Sequence, residues 1–371
     1  MDQNETARRC GRGFELLATR RDVLTAAATA AIQATASALI YGAVPTSAVA
    51  APPAPTNQDL EIVGNQLLQG GQAVRLVGVA VGDPIYIRAK RRFSDYGEIA
   101  RAWRANVVRI SLHPGHWRAE PAKSFKAMAR DIEVARAEGL FVIICWHAIG
   151  FPGYFQEQPD PSWGLPLDAY QSDEALALGF WREMAASFGR DPGVIFELWN
   201  EPVIDGKLWH STGQHWPVVK PLWLKLIEAI RQHSNCIVLA TGTRWAHDLK
   251  GIAKNLIDDP RVAYAWHCYP PADRGSANRW FGSLDGLPAV KPVIVTEWGF
   301  SPNGPDYVRG TADDFGRPFV ARVLEPLKLH STAWCWSEGA APQLLSSDAN
   351  SPSPYGQFVK DYIAIARRPT K

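Results

Sequence analysis

The chain reads as one α/β domain: a (β/α)8 TIM barrel of eight parallel strands, each followed by a helix, with a small N-terminal hairpin capping the barrel bottom. Three observations predict this. Short Val- and Ile-rich runs recur along the chain after residue 70, nearly unbroken in apolar character, as strands buried on both faces must be. Longer amphipathic stretches alternate with them. The first run is not followed by a glycine-rich phosphate loop: Gly78-Val79-Ala80-Val81-Gly82 lacks the spacing an open, doubly wound sheet would place there.

In order, the strands are predicted at Val74–Val81, Val107–Leu112, Phe141–Trp146, Val194–Trp199, Ile237–Ala240, Val262–His267, Val293–Glu297 and Thr332–Trp336, most bounded by Gly, Pro, Asn or Asp. Helices are predicted at Glu98–Ala105, Ala122–Glu138, Asp173–Phe188, Leu222–His233, Ala246–Asn255, Ala277–Leu284, Asp313–Leu329 and Tyr355–Ala366. In the second of these, Phe125, Met128, Ile132 and Ala135 step by three and four, which puts them on one face. Leu60–Val63 and Gln66–Leu68, followed by Gly70-Gly71, form the capping hairpin.

The composition suits a single globular domain. Of 371 residues, 46% are hydrophobic and 20% charged, which excludes collagen-like, wholly disordered and multi-span membrane chains. The net charge is +2 with both signs interspersed, so nucleic acid is not an expected partner. Fifteen tryptophans stand beside three methionines, more indoles than a core requires, and many are expected on a working surface.

The first fifty residues read as an address. Arg20-Arg21 precedes a mildly apolar Ala- and Thr-rich run that ends in Ala48-Val49-Ala50. This pattern looks like a twin-arginine export signal with a small-residue cleavage site. A short Pro-rich linker, residues 51–59, follows, and residues 60–371 form the barrel domain. The chain is thus expected in the periplasm or outside the cell, with no membrane anchor after cleavage. Twin-arginine substrates fold in a reducing cytoplasm, so Cys145, Cys236, Cys268 and Cys335 are expected as buried thiols, with a single disulfide as the alternative.

A TIM barrel carries its chemistry at the C-terminal ends of its strands. Reading those ends gives Arg109, with His113 and His116 beyond it; then His147; Asn200 and Glu201; His267 and Tyr269; Glu297; and Trp336. Two buried carboxylates converging on one mouth are costly unless paired or protonated, and together they resemble the acid and nucleophile of a glycosidase. Arg109 is also placed to pair with Glu197.

Asn200-Glu201-Pro202 after the fourth strand and Glu297-Trp298-Gly299 after the seventh resemble glycoside hydrolase family 5, among the retaining barrel glycosidases. The likeness runs from about Leu60 to the C-terminus. It implies that Glu201 is the acid/base and Glu297 the nucleophile. It further implies that Asn200 holds the sugar 2-hydroxyl, that Arg109 contacts the nucleophile, and that Trp336 is the platform under the sugar. His147, His267 and Tyr269 match the remaining family positions. Cys145 departs from the pattern, since relatives often carry an acid there.

The chemistry requires opposite protonation states at one pH. Arg109 and Tyr269 are expected to lower the pKa of Glu297, and its charge with partial burial to raise that of Glu201. A retaining pair stands roughly 5–5.5 Å apart, an inverting pair roughly 6.5–9.5 Å. No metal or cofactor is implied; His113-Pro114-Gly115-His116 has an H-x-x-H look, but the sequence offers no evident third ligand.

Trp117, Trp163, Trp209, Trp216 and Trp245 fall in loops above the strands as candidates for stacking on sugar, Trp245 foremost. Trp103, Trp181, Trp223 and Trp280 lie on helices as packing residues. His113 is a further cleft residue, and the long Gly150–Gln171 connection a cleft wall. The expected activity is endo-β-1,4-glucanase (cellulase) action by a monomer on a polysaccharide or oligosaccharide. Mannan, xyloglucan and β-1,3-glucan stay open as substrates. A non-catalytic sugar-binding barrel and a phosphate-handling barrel are the competing classes.

Overall fold

The computed structural model describes residues 59–86, 91–206, 215–270 and 277–368. The export signal, nearly all of the linker and Trp209 lie outside them.

Eleven strands are named in chain order: β1 Leu60–Val63, β2 Gln66–Gln69, β3 Gln72–Ala73, β4 Val77–Gly82, β5 Val107–Leu112, β6 Phe141–Trp146, β7 Val194–Glu197, β8 Ile237–Thr241, β9 Val262–Cys268, β10 Val293–Trp298 and β11 His330–Ala333. Strands β4 to β11 close into a barrel in sequence order, β11 pairing back onto β4, with every pair parallel. The predicted hairpin is the start of a three-stranded antiparallel sheet, β1-β2-β3. Leu60 and Leu67 from this sheet cluster with Val107, Phe141, Ile195 and Ile237 at the starts of the barrel strands. The sheet therefore plugs the bottom of the barrel with apolar side chains, and the opposite mouth is left for chemistry.

The longer helices are α1 Pro121–Ala137, α2 Glu174–Phe188, α3 Trp216–Arg231, α4 Ala277–Leu284 and α5 Pro354–Ala366. Their starts follow local rules. Asp173 caps α2 by accepting from the Leu176 amide at 2.7 Å, and Ser353 caps α5 from the Gly356 amide at 2.9 Å, with Pro354 in the first turn. Met128, Ile132 and Ala135 of α1 are buried as their spacing requires. They join the outward-facing Val108, Ile110 and Leu112 of β5 in the layer between barrel and helices.

Several predicted elements differ: β4 starts at Val77, three residues late, and α3 at Trp216, six residues early. Residues 246–255 form turns, not a helix: Arg244, Trp245 and Ala246 are all left-handed, and Gly251 has φ +80°, so the backbone cannot wind there. Residues 312–324 make short π and α turns in place of one long helix. Strand β11 starts at His330, two residues early, and stops at Ala333.

The tryptophan surplus is mostly core. Trp103, Trp181, Trp223 and Trp280 are buried as expected, but so are Trp117 and Trp216, placed among the loop candidates by sequence. Trp117 lies in the helix Pro114–Ala119 against Phe180, and Trp216 opens α3 with its indole bonded to the Asn255 carbonyl. Indoles are wide enough to bridge the gap between a barrel and its helices, which accounts for the count. The four cysteines Cys145, Cys236, Cys268 and Cys335 are all buried, and none forms a disulfide.

Candidate active site

At the upper mouth lies a cleft of about 580 Å³, within the range of small-molecule sites. Beneath it the barrel interior changes from apolar to charged. Arg109 of β5 is fully buried and donates through every arm of its guanidinium. Nε and Nη2 reach Glu197 at 2.5 and 3.2 Å, Nη1 reaches Glu297 at 2.7 Å, and Nη2 also reaches Asn200 Oδ1 at 2.7 Å and the Cys145 sulfur at 3.0 Å. The pairing with Glu197 expected from sequence is thus present together with the contact to Glu297. Because Asn200 spends its carbonyl oxygen on Arg109, its amide donors are directed elsewhere.

A β-bulge sets the position of Glu297. The register of β10 on β9 slips between Val295 and Glu297, so two consecutive residues address the barrel interior. Thr296 donates to Glu197 at 2.8 Å, and Glu297 accepts from Arg109 and from the Tyr269 hydroxyl at 2.8 Å. Glu201 faces it across the mouth, bonded to His267 Nδ1 at 3.0 Å. That nitrogen stands 3.7 Å from Glu297, and one oxygen of each glutamate lies within 4.8 Å of the other. An approach this close suits a retaining pair, whose carboxyl groups stand roughly 5–5.5 Å apart.

Burial dominates the electrostatics. It pushes Glu201 well above the ordinary carboxylate range, with the Glu297 charge next. It also pushes Glu297 up, against the pull of Arg109 and of the Tyr269 hydroxyl. The expected lowering of Glu297 is therefore outweighed by desolvation, but the order survives, because only Glu297 has a guanidinium and a phenol bonded to it. Burial drives His267 and His147 far below their usual pKa, so both are neutral.

Around the pair, His147, His113, Asn200, Tyr269 and Trp245 all line the cleft. His113 bonds to Asp83 through both its amide, at 2.8 Å, and Nδ1, at 2.6 Å, while His116 Nδ1 takes the same oxygen at 2.9 Å. Asp83 is thus the third group that the H-x-x-H segment lacked in sequence. The three contacts are ordinary hydrogen-bond lengths, which N–H donors explain by themselves. The loop 150–171 does wall one side: Tyr86 donates to the Trp163 carbonyl at 2.9 Å, and Glu157, Trp163, Leu165 and Tyr170 face the cleft.

A family model for cellulase (glycosyl hydrolase family 5) matches residues 69–340. The chain belongs to glycosyl hydrolase family 5. Endoglucanase N of Pectobacterium atrosepticum is 28% identical over 266 residues, covering 69% of this chain and 52% of that protein. Endoglucanase E-5 of Thermobifida fusca is 26% identical over 293 residues, covering 75% and 56%. The chain therefore spans about half the length of the curated relatives it matches. Among solved structures, a beta-glucanase from Saccharophagus degradans in complex with cellotetraose superposes with a TM-score of 0.73 at 25% identity, over 85% of this chain and 95% of that one.

Of the family 5 positions assigned from sequence, one is displaced. Trp336 is 2% exposed, packs edge-on against Trp103 with centroids 4.8 Å apart, and is absent from the cleft lining. The cleft instead receives Trp334, half-buried and stacked on His147 at 5.6 Å and 3°. The apolar run was read through Trp336, whereas the strand ends at Ala333, and past that point strand alternation no longer decides which way a side chain faces. Trp298, next to Glu297, is likewise buried, against Phe319 and Tyr362. Sequence reasoning also missed Asp83, Glu157, Tyr170 and Tyr307 in the lining.

Proposed function

We propose that this chain is a retaining β-glycoside hydrolase that cuts β-1,4-glucan by double displacement, an endoglucanase of the cellulase type. The observation that carries the reading is the approach of Glu201 to Glu297 within 4.8 Å, with Arg109 and Tyr269 bonded to Glu297 and not to Glu201. Glu297, held ionised by those two donors, attacks the anomeric carbon. Glu201 donates its proton to the leaving oxygen and then takes one from the water that releases the glycosyl-enzyme. Neutral His267 at 3.0 Å from Glu201 gives that carboxylate an N–H to bond when it is ionised. Asn200 meets the sugar 2-hydroxyl, and Trp334 lies under the ring, with His147, His113 and Trp245 as further sugar contacts.

The polymer is assigned from relatives named endoglucanase and from the cellotetraose complex of the Saccharophagus degradans enzyme. Release of reducing sugar from carboxymethylcellulose, mannan, xylan and laminarin tests it. Activity on the first is the expected result. Preference for another polymer changes the substrate, and activity on none removes the glycanase. The domain is residues 60–371, exported through the Arg20-Arg21 signal and acting as a monomer. Retention in the cytoplasm when both arginines become lysine tests the export route, and the elution volume of the mature protein tests the monomer. No helix among the described residues is long and apolar enough to cross a membrane.

A further inference from the structure

Glu157 lines the same cleft as Glu201 and has no part in the mechanism above. It lies on the wall loop, and the base of that loop is fastened to the backbone of Glu201. The Glu201 amide donates to the Ala148 carbonyl at 3.0 Å, the Gly150 amide donates to the Glu201 carbonyl at 2.8 Å, and the Glu157 amide returns to the Ile149 carbonyl at 3.1 Å. Gly150 has φ +113°, and a Cβ there would come within 2.4 Å of Gln156, so this tight fold-back requires glycine.

A second loop is tied to the same spot. The Trp245 amide donates to the carbonyl of Pro202, the residue after Glu201, at 3.2 Å, and its indole donates to Glu157 Oε2 at 2.8 Å. Glu201, Glu157 and Trp245 are therefore three corners of one braced unit. The other oxygen of Glu157 has no partner among the described residues.

We propose that Glu157 is a positioning residue for the acid step: its carboxylate pins the Trp245 indole beside Glu201 and sets a further negative charge against the acid, holding the proton on Glu201 until it is delivered. This rests on Glu201 being the acid/base. The charged and titratable neighbours of Glu201 are Glu297, His267, Arg109, Glu197 and Tyr269 from the barrel, and Tyr170 and Tyr307 from the loops. Among them the Arg109 charge and the His267 N–H favour loss of the proton. No lysine or arginine lines the cleft among the described residues, and the charge of Arg244, beside Trp245, acts on His247 and Asp248. No cation in the lining cancels a Glu157 charge; burial pushes the Glu157 carboxyl up, and the bond from the Trp245 indole opposes that rise.

The test uses the full-length enzyme and the pH profile of kcat/KM on a cello-oligosaccharide. Glu157→Gln keeps an acceptor for the indole and removes the charge. Its alkaline limb moves toward acid by about half a unit to one unit, with KM close to that of the parent. Trp245→Phe loses the pin and with it the bond that favours the Glu157 charge: KM rises by about tenfold, and the limb moves toward acid as well. Glu157→Ala shows both effects. An unmoved limb in Glu157→Gln overturns the proposal. The acid assignment is checked separately with Glu201→Gln, which should spare a dinitrophenyl glycoside far more than an unactivated one. If it spares neither, that assignment fails and the proposal with it. If it holds and the limb does not move, the proposal alone is wrong.

Discussion

The indole of Trp334 lies flat against the imidazole of His147, 3° from parallel with ring centroids 5.6 Å apart. His147 in turn meets His113 edge-on at 4.8 Å. The floor of the cleft is therefore a continuous aromatic surface, and Trp336 is not part of it. Trp334→Ala is expected to cut kcat/KM by about a hundredfold, or roughly 2.7 kcal/mol, with little change in melting temperature. Trp336→Ala should do the reverse. It empties a packed site against Trp103 and costs about 3–5 kcal/mol of stability, while the folded fraction keeps most of its activity. Thermal melts and kinetics on both variants decide the matter.

Arg109 compensates two buried carboxylates at once. Removing one partner of a buried ion pair leaves an uncompensated charge and costs about 3–5 kcal/mol. Arg109→Met should therefore lower the urea midpoint sharply and abolish turnover. Arg109→Lys should not rescue it, because one ammonium cannot reproduce the fork that meets Glu197, Glu297 and Asn200 together.

The raised pKa of Glu201 makes that residue a stability liability. Its folded pKa lies above the unfolded value, so between the two the native state binds more protons. The stabilisation is complete below the ordinary carboxylate range and is lost as pH rises through the folded pKa. Each unit of upward shift is worth about 1.4 kcal/mol. Glu201→Gln should melt higher than the parent at neutral pH, with the advantage shrinking as pH falls toward about 4. Melting curves across pH test this, and a parent that is equally or more stable at neutral pH contradicts it.

His116 gives a second handle with the same sign of pH dependence, this time from a charge that the fold favours. Burial works against its charge, but the bond and charge of Asp83 raise its pKa. Its stabilising contribution is present below the ordinary histidine pKa and fades as pH rises through the raised one. His116→Ala should remove that slope above the ordinary histidine pKa of about 6.5 and cost about 1 kcal/mol at the acid end. Urea midpoints of the two proteins across this range measure it.

Much of this site was legible because buried parallel strands announce themselves as Val- and Ile-rich runs, and the polar residue ending each run must face the mouth. That rule found Arg109, His147, Asn200, Glu201, His267, Tyr269 and Glu297. It missed Asp83 because Gly82, left-handed at φ +68°, carries β4 one residue past the run that was read. It misplaced the platform because Trp334 and Trp336 fall in one apolar stretch, and only the end of β11 distinguishes them. Glu157, Tyr170 and Tyr307 lie on loops, where no periodicity tells which side chain turns inward. Their positions come from pairings distant in sequence, such as Trp245 with Glu157.

In the proposed mechanism Glu297 forms a covalent bond to the sugar while Glu201 serves as acid and base. Incubation with a dinitrophenyl 2-deoxy-2-fluoro-β-cellobioside, followed by mass spectrometry of the intact protein and its peptides, tests it directly. One fluoroglycosyl adduct per chain is expected, on Glu297, with activity lost in step. A label on another residue, or full turnover of ordinary substrate by a Glu297→Ala protein, would contradict it.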